Sequence, residues 1–379
     1  MKKIITLSLL TIISASVFSQ NKKSDTVLLQ PIEIKAVRAT DKAPFTKTNL
    51  TKKDIEKLNL GQDLPFILNQ IPSVVINSDA GNGIGYTGIR IRGTDATRIN
   101  MTLNGIPYND AESQGIYFVD LPDIVSSVSS IQVQRGVGTS SNGAGAFGAT
   151  INLATNEIND SMYQEFNNSY GSFNTWKHTL KIGSGLLGKH FTTEGRGPLI
   201  NSDGFIDRAK TNLKSFYVST AYLSSRNSLR LNIFSGKEKT YQAWYGVAES
   251  YLDSNRTYNS AGNEKPGTPY ENETDNYTQT HYQLFYNHKL NSLWAFNSAV
   301  FLTRGLGYYE QYKAGEKFKS YSLPDYNNGS SVINKTDLIR QLWLDNYFYG
   351  TIFSFQKQTN KSRFTLGGGW NKYDGKHYG

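Results

Sequence analysis

The sequence contains no cysteine in its 379 residues, which excludes disulfides, thiolate metal sites and cysteine nucleophiles together. Histidines number five (His178, His190, His281, His288 and His377) and do not cluster. His281 and His288 are seven apart on one expected strand, hence on opposite faces. The metal-binding pattern HExxH and the nucleophile pattern GxSxG are both missing. Their absence does not exclude catalysis, but no other pattern argues for it, and neither an enzyme nor a bound cofactor is expected. Charged residues are scarce, 19% against the usual ~25%. The net charge of +9 is spread thinly rather than gathered into a stripe, so no nucleic-acid partner is expected. Beyond residue 18 no long apolar run occurs, so no transmembrane helix is expected either.

One apolar run is present. "IITLSLLTIISASVF" (Ile4–Phe18) follows Met1, Lys2 and Lys3. A charged start, an apolar stretch shorter than the ~20 residues of a spanning helix and small residues near its end make residues 1–19 a secretory signal peptide, cut after Ser19. An exported chain of this size without disulfides must be held by burial and hydrogen bonding. What is abundant is aromatic: 13% of residues, with 24 tyrosines. Tyr- and Gly-rich alternating sequence behind an export signal points to β-structure at a membrane interface.

The texture changes twice along the chain. Residues 20–44 form a polar leader with one patterned piece, "PIEIKA". There Ile32, Ile34 and Ala36 alternate with Glu33 and Lys35 behind Pro31, as in a single extended strand. Two readings stand: a strand that joins another protein's sheet edge, or a plain linker. Residues 45–155 read as a compact mixed domain. Thr51 and Asp54 make a capping box before "KKDIEKL", with Ile55 and Leu58 on one face. Asp63 is the expected N-cap of a short helix over "DLPFILNQ". "IRIRG" reads as a strand with Arg90 and Arg92 on one face, and "MTLNGIPY" as a strand with a tight turn at Asn104-Gly105. "IQVQRG" and "ATINLAT" are two more strands. Residues 156–379 alternate in segments of about ten residues. Tight turns near 224–227, 290–292 and 357–361 there interleave with long polar loops near 237–276 and 304–336.

Between "IQVQRG" and "ATINLAT", Gly143, Gly145 and Gly148 spell GxGxxG, and "GSGLLGK" at Gly183–Lys189 fits GxxxxGK. A phosphate loop needs a helix after it, whose N-terminus holds the anion. "ATINLAT" has period two, and the residue after Lys189 is His190 rather than Ser or Thr, so both are read as decoys. The glycines serve tight turns and close packing instead.

"PIEIKAVRA", "GIRIRGTDATRINMTLNGIPYND" and "SSIQVQRGVGTSSNGAGAFGATINLAT", in that order, resemble a TonB-dependent outer-membrane receptor. The start of the long loop, "KEKTYQAWYGV", is similar to Bacteroidetes members of that family. The resemblance implies a β-rich chain: an α+β plug domain (45–155) followed by the N-terminal part of an antiparallel 22-stranded transmembrane β-barrel (156–379). Nine strands fit there at roughly 23 residues each, so a longer gene product is expected. It further implies that Pro31, Ile32, Glu33, Ile34, Lys35 and Ala36 are the TonB box, added as a strand to TonB with its inner-membrane energising complex. Arg92 and Arg135 match the family's plug arginines, which pair with barrel carboxylates as a lock. Pattern alone allows a solvated strand face for both. Gly93, Asn104, Gly105, Gly136, Gly143, Gly145 and Gly148 mark plug turns.

The family imports ferric siderophores, cobalamin, haem or oligosaccharides. A ferric siderophore or similar chelate is the expected ligand, at an outer membrane whose lipid surrounds the barrel. Tyr241, Trp244, Tyr245 and Tyr251 form an aromatic set in the loop, read either as ligand contacts or as interfacial residues. Two rival classes remain, a passive porin and a secreted β-rich binding protein.

Overall fold

The computed structural model describes residues 38–39, 43–138 and 145–379. The signal segment 1–19, the box Pro31–Ala36 and Gly143 lie outside the described residues.

The first unit is built on β1 (Lys47–Thr51), β2 (Val74–Ser78), β3 (Thr87–Ile91), β4 (Ile99–Leu103), β5 (Ile106–Pro107), β6 (Ser130–Arg135) and β7 (Ala149–Ala154). Five of these form one sheet in the order β1-β6-β7-β4-β5, and β2 and β3 pair separately. The β4–β7 contact is parallel. A helix over Lys52–Leu58 follows β1 and starts with a complete capping box between Thr51 and Asp54. Ile55 is buried but Leu58 is 38% exposed, because the seven-residue helix ends before its last turn reaches the core. The expected cap at Asp63 also differs. The helix Leu64–Leu68 begins there, yet Asp63 makes no side-chain cap bond. Its carboxylate turns away to accept from the Thr87 hydroxyl at 3.1 Å.

One face of the five-stranded sheet is apolar, with Met101, Leu103, Ile131, Val133, Ile151 and Leu153 all essentially fully buried. The other face is polar and buried as well, so its groups must bond one another. Thr102 donates to Asn152 Oδ1 at 2.7 Å, and Gln134 to Gln132 Oε1 at 2.9 Å. The leader crosses this polar face: the Arg38 guanidinium donates to Ser130 Oγ and to the Asn152 carbonyl, and Ala39 N–H to Gln132 Oε1. Asn104 (φ 56) and Gly105 (φ 83) supply the two positive φ angles of a primed hairpin turn between β4 and β5.

The second unit comprises β8 (Tyr163–Gly171), β9 (Thr175–Gly183), β10 (Phe191–Ser202), β11 (Thr211–Leu223), β12 (Asn227–Tyr241), β13 (Thr274–Lys289) and β14 (Trp294–Lys317). A small hairpin, β15 (Tyr326–Asn327) with β16 (Val332–Ile333), precedes β17 (Lys335–Gln358) and β18 (Arg363–Tyr378). All but the small hairpin join one nine-stranded antiparallel sheet in chain order. Connections are long at one end, over 242–273 and 318–334, and short at the other. The loop expected near 304–336 is therefore much shorter, since β14 continues to Lys317. Gly305 and Gly307 weaken the strand signal there, but Tyr277 of β13 packs where their Cβ atoms would stand.

Along each strand the faces alternate. Leu229, Leu231, Val218, Leu284 and Val300 point away from the first unit and are 41–58% exposed, an apolar outer face suited to lipid. Lys177, Thr179, Arg196, Arg230, Asn232 and Gln283 point inward and are buried. The first unit is gripped from β9 through β18: Lys177 of β9 reaches Asp123, and His377 of β18 reaches Glu112. The sheet must therefore curve around it as part of a barrel. Tyr217 and Phe234 of the wall are members of the inner unit's own apolar core.

Gly236 of β12 marks the closest approach, since a Cβ there would overlap the Asp120 carbonyl. Gly236→Ala is expected to lower stability by roughly 1–3 kcal/mol through overpacking. Gly197→Ala, with open space around its Cβ, should leave the melting temperature unchanged. Equal melting temperatures for the two variants would contradict this close seating.

Candidate functional site

Asp123 carries the main polar contact between the inner unit and the wall. It sits in the left-handed region (φ 54), opens a short 3-10 turn over Ile124–Ser127 and has a side chain only 1% exposed. Lys177 Nζ lies 2.6 Å from Oδ1 and the Thr179 hydroxyl donates to Oδ2 at 2.8 Å. Both donors stand two residues apart on the inward face of β9, so one strand grips both oxygens. From the inner unit, Ser126 Oγ donates at 2.6 Å, and Asn59 bridges by accepting from Lys177 at 3.1 Å. Burial alone would raise the Asp123 pKa. The Lys177 and Arg196 charges and the bonds from Lys177 and Ser126 outweigh burial and hold it below the ordinary carboxylate value.

Asp63 behaves oppositely. Burial pushes its pKa up to about 8, although bonds from Thr87 and the Gly85 N–H favour the charge. Asp123 nearby adds to the rise, and Lys177 opposes it.

At the long-loop end of the inner unit a cavity of about 600 Å³ opens against the wall. It is bordered by Asp120, Glu238 and Asp275 and by the rings of Tyr86, Tyr309 and Trp343. Tyr86 donates to Asp275 at 2.6 Å and lies 3.4 Å from Glu238, so one phenol links the inner unit to two strands. Asp120 is buried and has no side-chain hydrogen bond among the described residues. Burial, and then Asp275 and Asp110, push its pKa well above the carboxylate range.

The residues expected from sequence fall partly elsewhere. Arg92 does not lie on a strand face: it ends β3 at φ 53, with its guanidinium against Gly136. Arg135 ends β6 and donates to the Pro72 carbonyl at 3.1 Å. Among the described residues neither arginine meets a barrel carboxylate. The charge pair across the interface runs the other way, with the carboxylate on the inner unit and the cations on the wall. Nothing in a motif reports this. Lys177, Arg196 and Asp123 are ordinary residue types, and only the seating of the inner unit against β9 and β10 brings them together.

Gly93, Gly105, Gly136 and Gly145 all sit at positive φ, and a Cβ at Gly148 would overlap the Thr94 side chain. β7 follows Gly148 directly, so no helix N-terminus faces the glycine loop. Asn104 is buried and exchanges bonds with Thr155. Of the expected loop aromatics, Tyr241 instead ends β12, is buried and donates to the Tyr270 carbonyl at 2.6 Å. Trp244 meets Tyr86 edge-on at 5.4 Å, which places it behind the cavity wall. Tyr245 is exposed and accepts from Gln311, while Tyr251 is exposed and stacks on Tyr258 at 4.5 Å. His281 is buried facing the inner unit, and His288 lies on the other face.

Residues 39–150 match the family model of the TonB-dependent Receptor Plug Domain. The inner unit is thus similar to that plug domain, and the nine-stranded sheet is similar in fold to part of the solved structures below. No curated protein sequence matches the chain. Among solved structures, the fold is similar to the ferric-catecholate import receptor Fiu of E. coli K12 (TM-score 0.64, 15% identity, 88% of this chain and 50% of that one). It is also similar to BauA, the ferric preacinetobactin receptor of Acinetobacter baumannii (TM-score 0.63, 16% identity, 88% and 48%). The ferripyoverdine receptor of the Pseudomonas aeruginosa outer membrane matches over 98% of this chain and 50% of its own (TM-score 0.64, 12% identity). The chain spans about half the length of these structures.

The raised pKa of Asp63 sets a direction for stability. The folded chain keeps a proton there that the unfolded chain loses above about pH 4. This contribution is whole below that pH and falls as pH rises toward 8. The melting temperature of Asp63→Asn is expected to match wild type near pH 4 and to exceed it at pH 8. A constant difference across that range would contradict the buried protonated carboxyl.

Proposed function

We propose that the chain is the plug-bearing part of a TonB-dependent receptor that imports a ferric siderophore across the outer membrane. The observation that carries this reading is the plug itself, seated inside a curved sheet with an apolar outer face. An aromatic and acidic cavity above it opens toward the long loops. That end faces the outside, where the chelate arrives. The short-turn end faces the periplasm, reached after export through the signal peptide 1–19. The cavity volume lies within the range of small-molecule sites. Tyr245 and Tyr251 are exposed loop aromatics that would meet a ligand from above, and Trp244 would back Tyr86 behind the cavity wall. Tyr241 has a structural part, since its hydroxyl is already bonded.

The leader supports coupling. Only Val37 separates Pro31–Ala36 from Arg38, which is bonded to β6 and to the carbonyl of Asn152 in β7. A pull by TonB on the box as an added strand would act directly on the polar face of the plug sheet. Arg92 and Arg135 close the plug's own β3 and β6 ends and would transmit that pull inside the plug.

Deleting Pro31–Ala36 is expected to leave chelate binding at the cell surface intact and to abolish iron accumulation inside the cell. Undiminished accumulation by the deletion variant would refute energy coupling through this segment.

A further inference from the structure

The outer face of the sheet is apolar over its middle, and toward the long-loop end a group of lysines replaces the apolar residues. Lys214 of β11 stands directly opposite Lys237 of β12, and Lys239 lies two residues further along the same face. All three are exposed. Beside them on that face stand Leu199, Asn212, Thr278 and Asn276, none of them acidic. These neighbours are all in place, because the patch lies far from either edge of the sheet. Three further strands follow on the β11 side and four on the β12 side.

Like charges directly opposite on neighbouring strands repel one another. Here nothing in the wall answers them. Lys239 donates to the neutral Asn272 side chain at 3.0 Å. Neither Lys214 nor Lys237 has an ion pair or a side-chain hydrogen bond among the described residues. Next to the lysines a cleft of about 760 Å³ is bordered by Lys210, Lys239, Asn201 and Asn212 and by Pro269 and Asn272 of the long loop. Its two acids, Asp203 and Glu271, belong to loops beyond the strand ends Ser202 and Thr274. Toward the short-turn end the same face turns apolar, with Phe216 and Val218 on β11 and Leu229 and Leu231 on β12 exposed. Cations thus stand just above an apolar band. In a membrane wall that is the level of the lipid headgroups, where lysine meets headgroup phosphate. A phosphate monoester carries a charge of about −1.5 to −2 and several acceptor oxygens, so one group can answer more than one ammonium.

Resting on the reading of this sheet as an outer-membrane barrel wall, we infer that the outer face of β10–β12 binds a phosphorylated glycolipid of the outer leaflet, its phosphate held by Lys214, Lys237 and Lys239. The sugar hydroxyls meet Asn201 and Asn212 in the cleft, and the acyl chains run down over Phe216 and Val218. The bound phosphate removes the repulsion between Lys214 and Lys237, so the lipid and this part of the wall stabilise each other.

The experiment titrates the purified full-length protein in a neutral detergent with monophosphoryl lipid A, with the same lipid stripped of its phosphate, and with inorganic phosphate. Native mass spectrometry counts the bound lipid. Wild type is expected to bind the phosphorylated lipid at least about tenfold more tightly than the stripped one, with no competition from equimolar inorganic phosphate. The variant Lys214→Gln, Lys237→Gln, Lys239→Gln should bind the phosphorylated lipid about tenfold more weakly. Its melting temperature without lipid should be no lower than that of wild type, since it loses only like charges, and this shows the variant to be folded. Equal binding of the two lipids, displacement by equimolar inorganic phosphate, or a variant that binds as tightly as wild type would each overturn the inference. Heat-modifiable migration in detergent electrophoresis reports the closed barrel separately. Where wild type shows it, those outcomes overturn the lipid site alone; its absence in wild type would overturn the barrel reading as well.

Discussion

A carboxyl group placed where water cannot reach it must hold a proton or find a cation, and Asp123 finds a cation on the opposite side of a domain boundary. Removing one partner of such a pair typically costs about 3–5 kcal/mol, because the survivor stays buried and charged. The plug therefore has a strongly preferred seat. The contact is also directional. Lys177 and Thr179 reach both oxygens from one strand, so rotation of the plug inside the wall would break both bonds together. Apolar contacts fill in around this point, with Tyr217 and Phe234 entering the plug core from the wall. Burial of such surface supplies most of the attraction, but it is tolerant of sliding; the ion pair sets the register.

The two ends of the plug then differ in chemistry. Near β9 its acid is paired and held ionised. Near β12 and β13 its acid Asp120 and the wall's Glu238 and Asp275 gather without a cation around Tyr86. The first arrangement fastens the plug; the second brings three acid groups together at the boundary, with no cation beside them among the described residues. Below, the leader is bonded across the polar face of the plug sheet through Arg38.

How much of this could be read from the residues depended on the range of the interaction. Where the pattern is local, it was readable. The alternating texture of residues 156–379, the Thr51–Asp54 box and the Asn104-Gly105 turn all declare themselves within a few residues. The upper part of β14 did not, because above the apolar band both strand faces are polar or aromatic and the period-two signal fades. The lock was not readable at all. Lys177 looks like any inward polar residue of a barrel strand, and Asp123 lies in "DLPDIVSS", which has no period. Their partnership exists only once the inner unit is seated against β9. Arg92 and Arg135 were conspicuous through their glycine neighbours, yet those glycines make turns, and the turns aim both arginines at the plug's own backbone.

The most direct test of this account is electrical. On the reading proposed above, the purified full-length protein reconstituted in planar lipid bilayers should pass no ionic current, with the inner unit seated against the wall. Asp123→Ala leaves Lys177 buried without its counter-charge, and should open a measurable conductance. A variant as silent as wild type would show that the plug is seated by other contacts, and that the buried pair is not the constraint on which the structure depends.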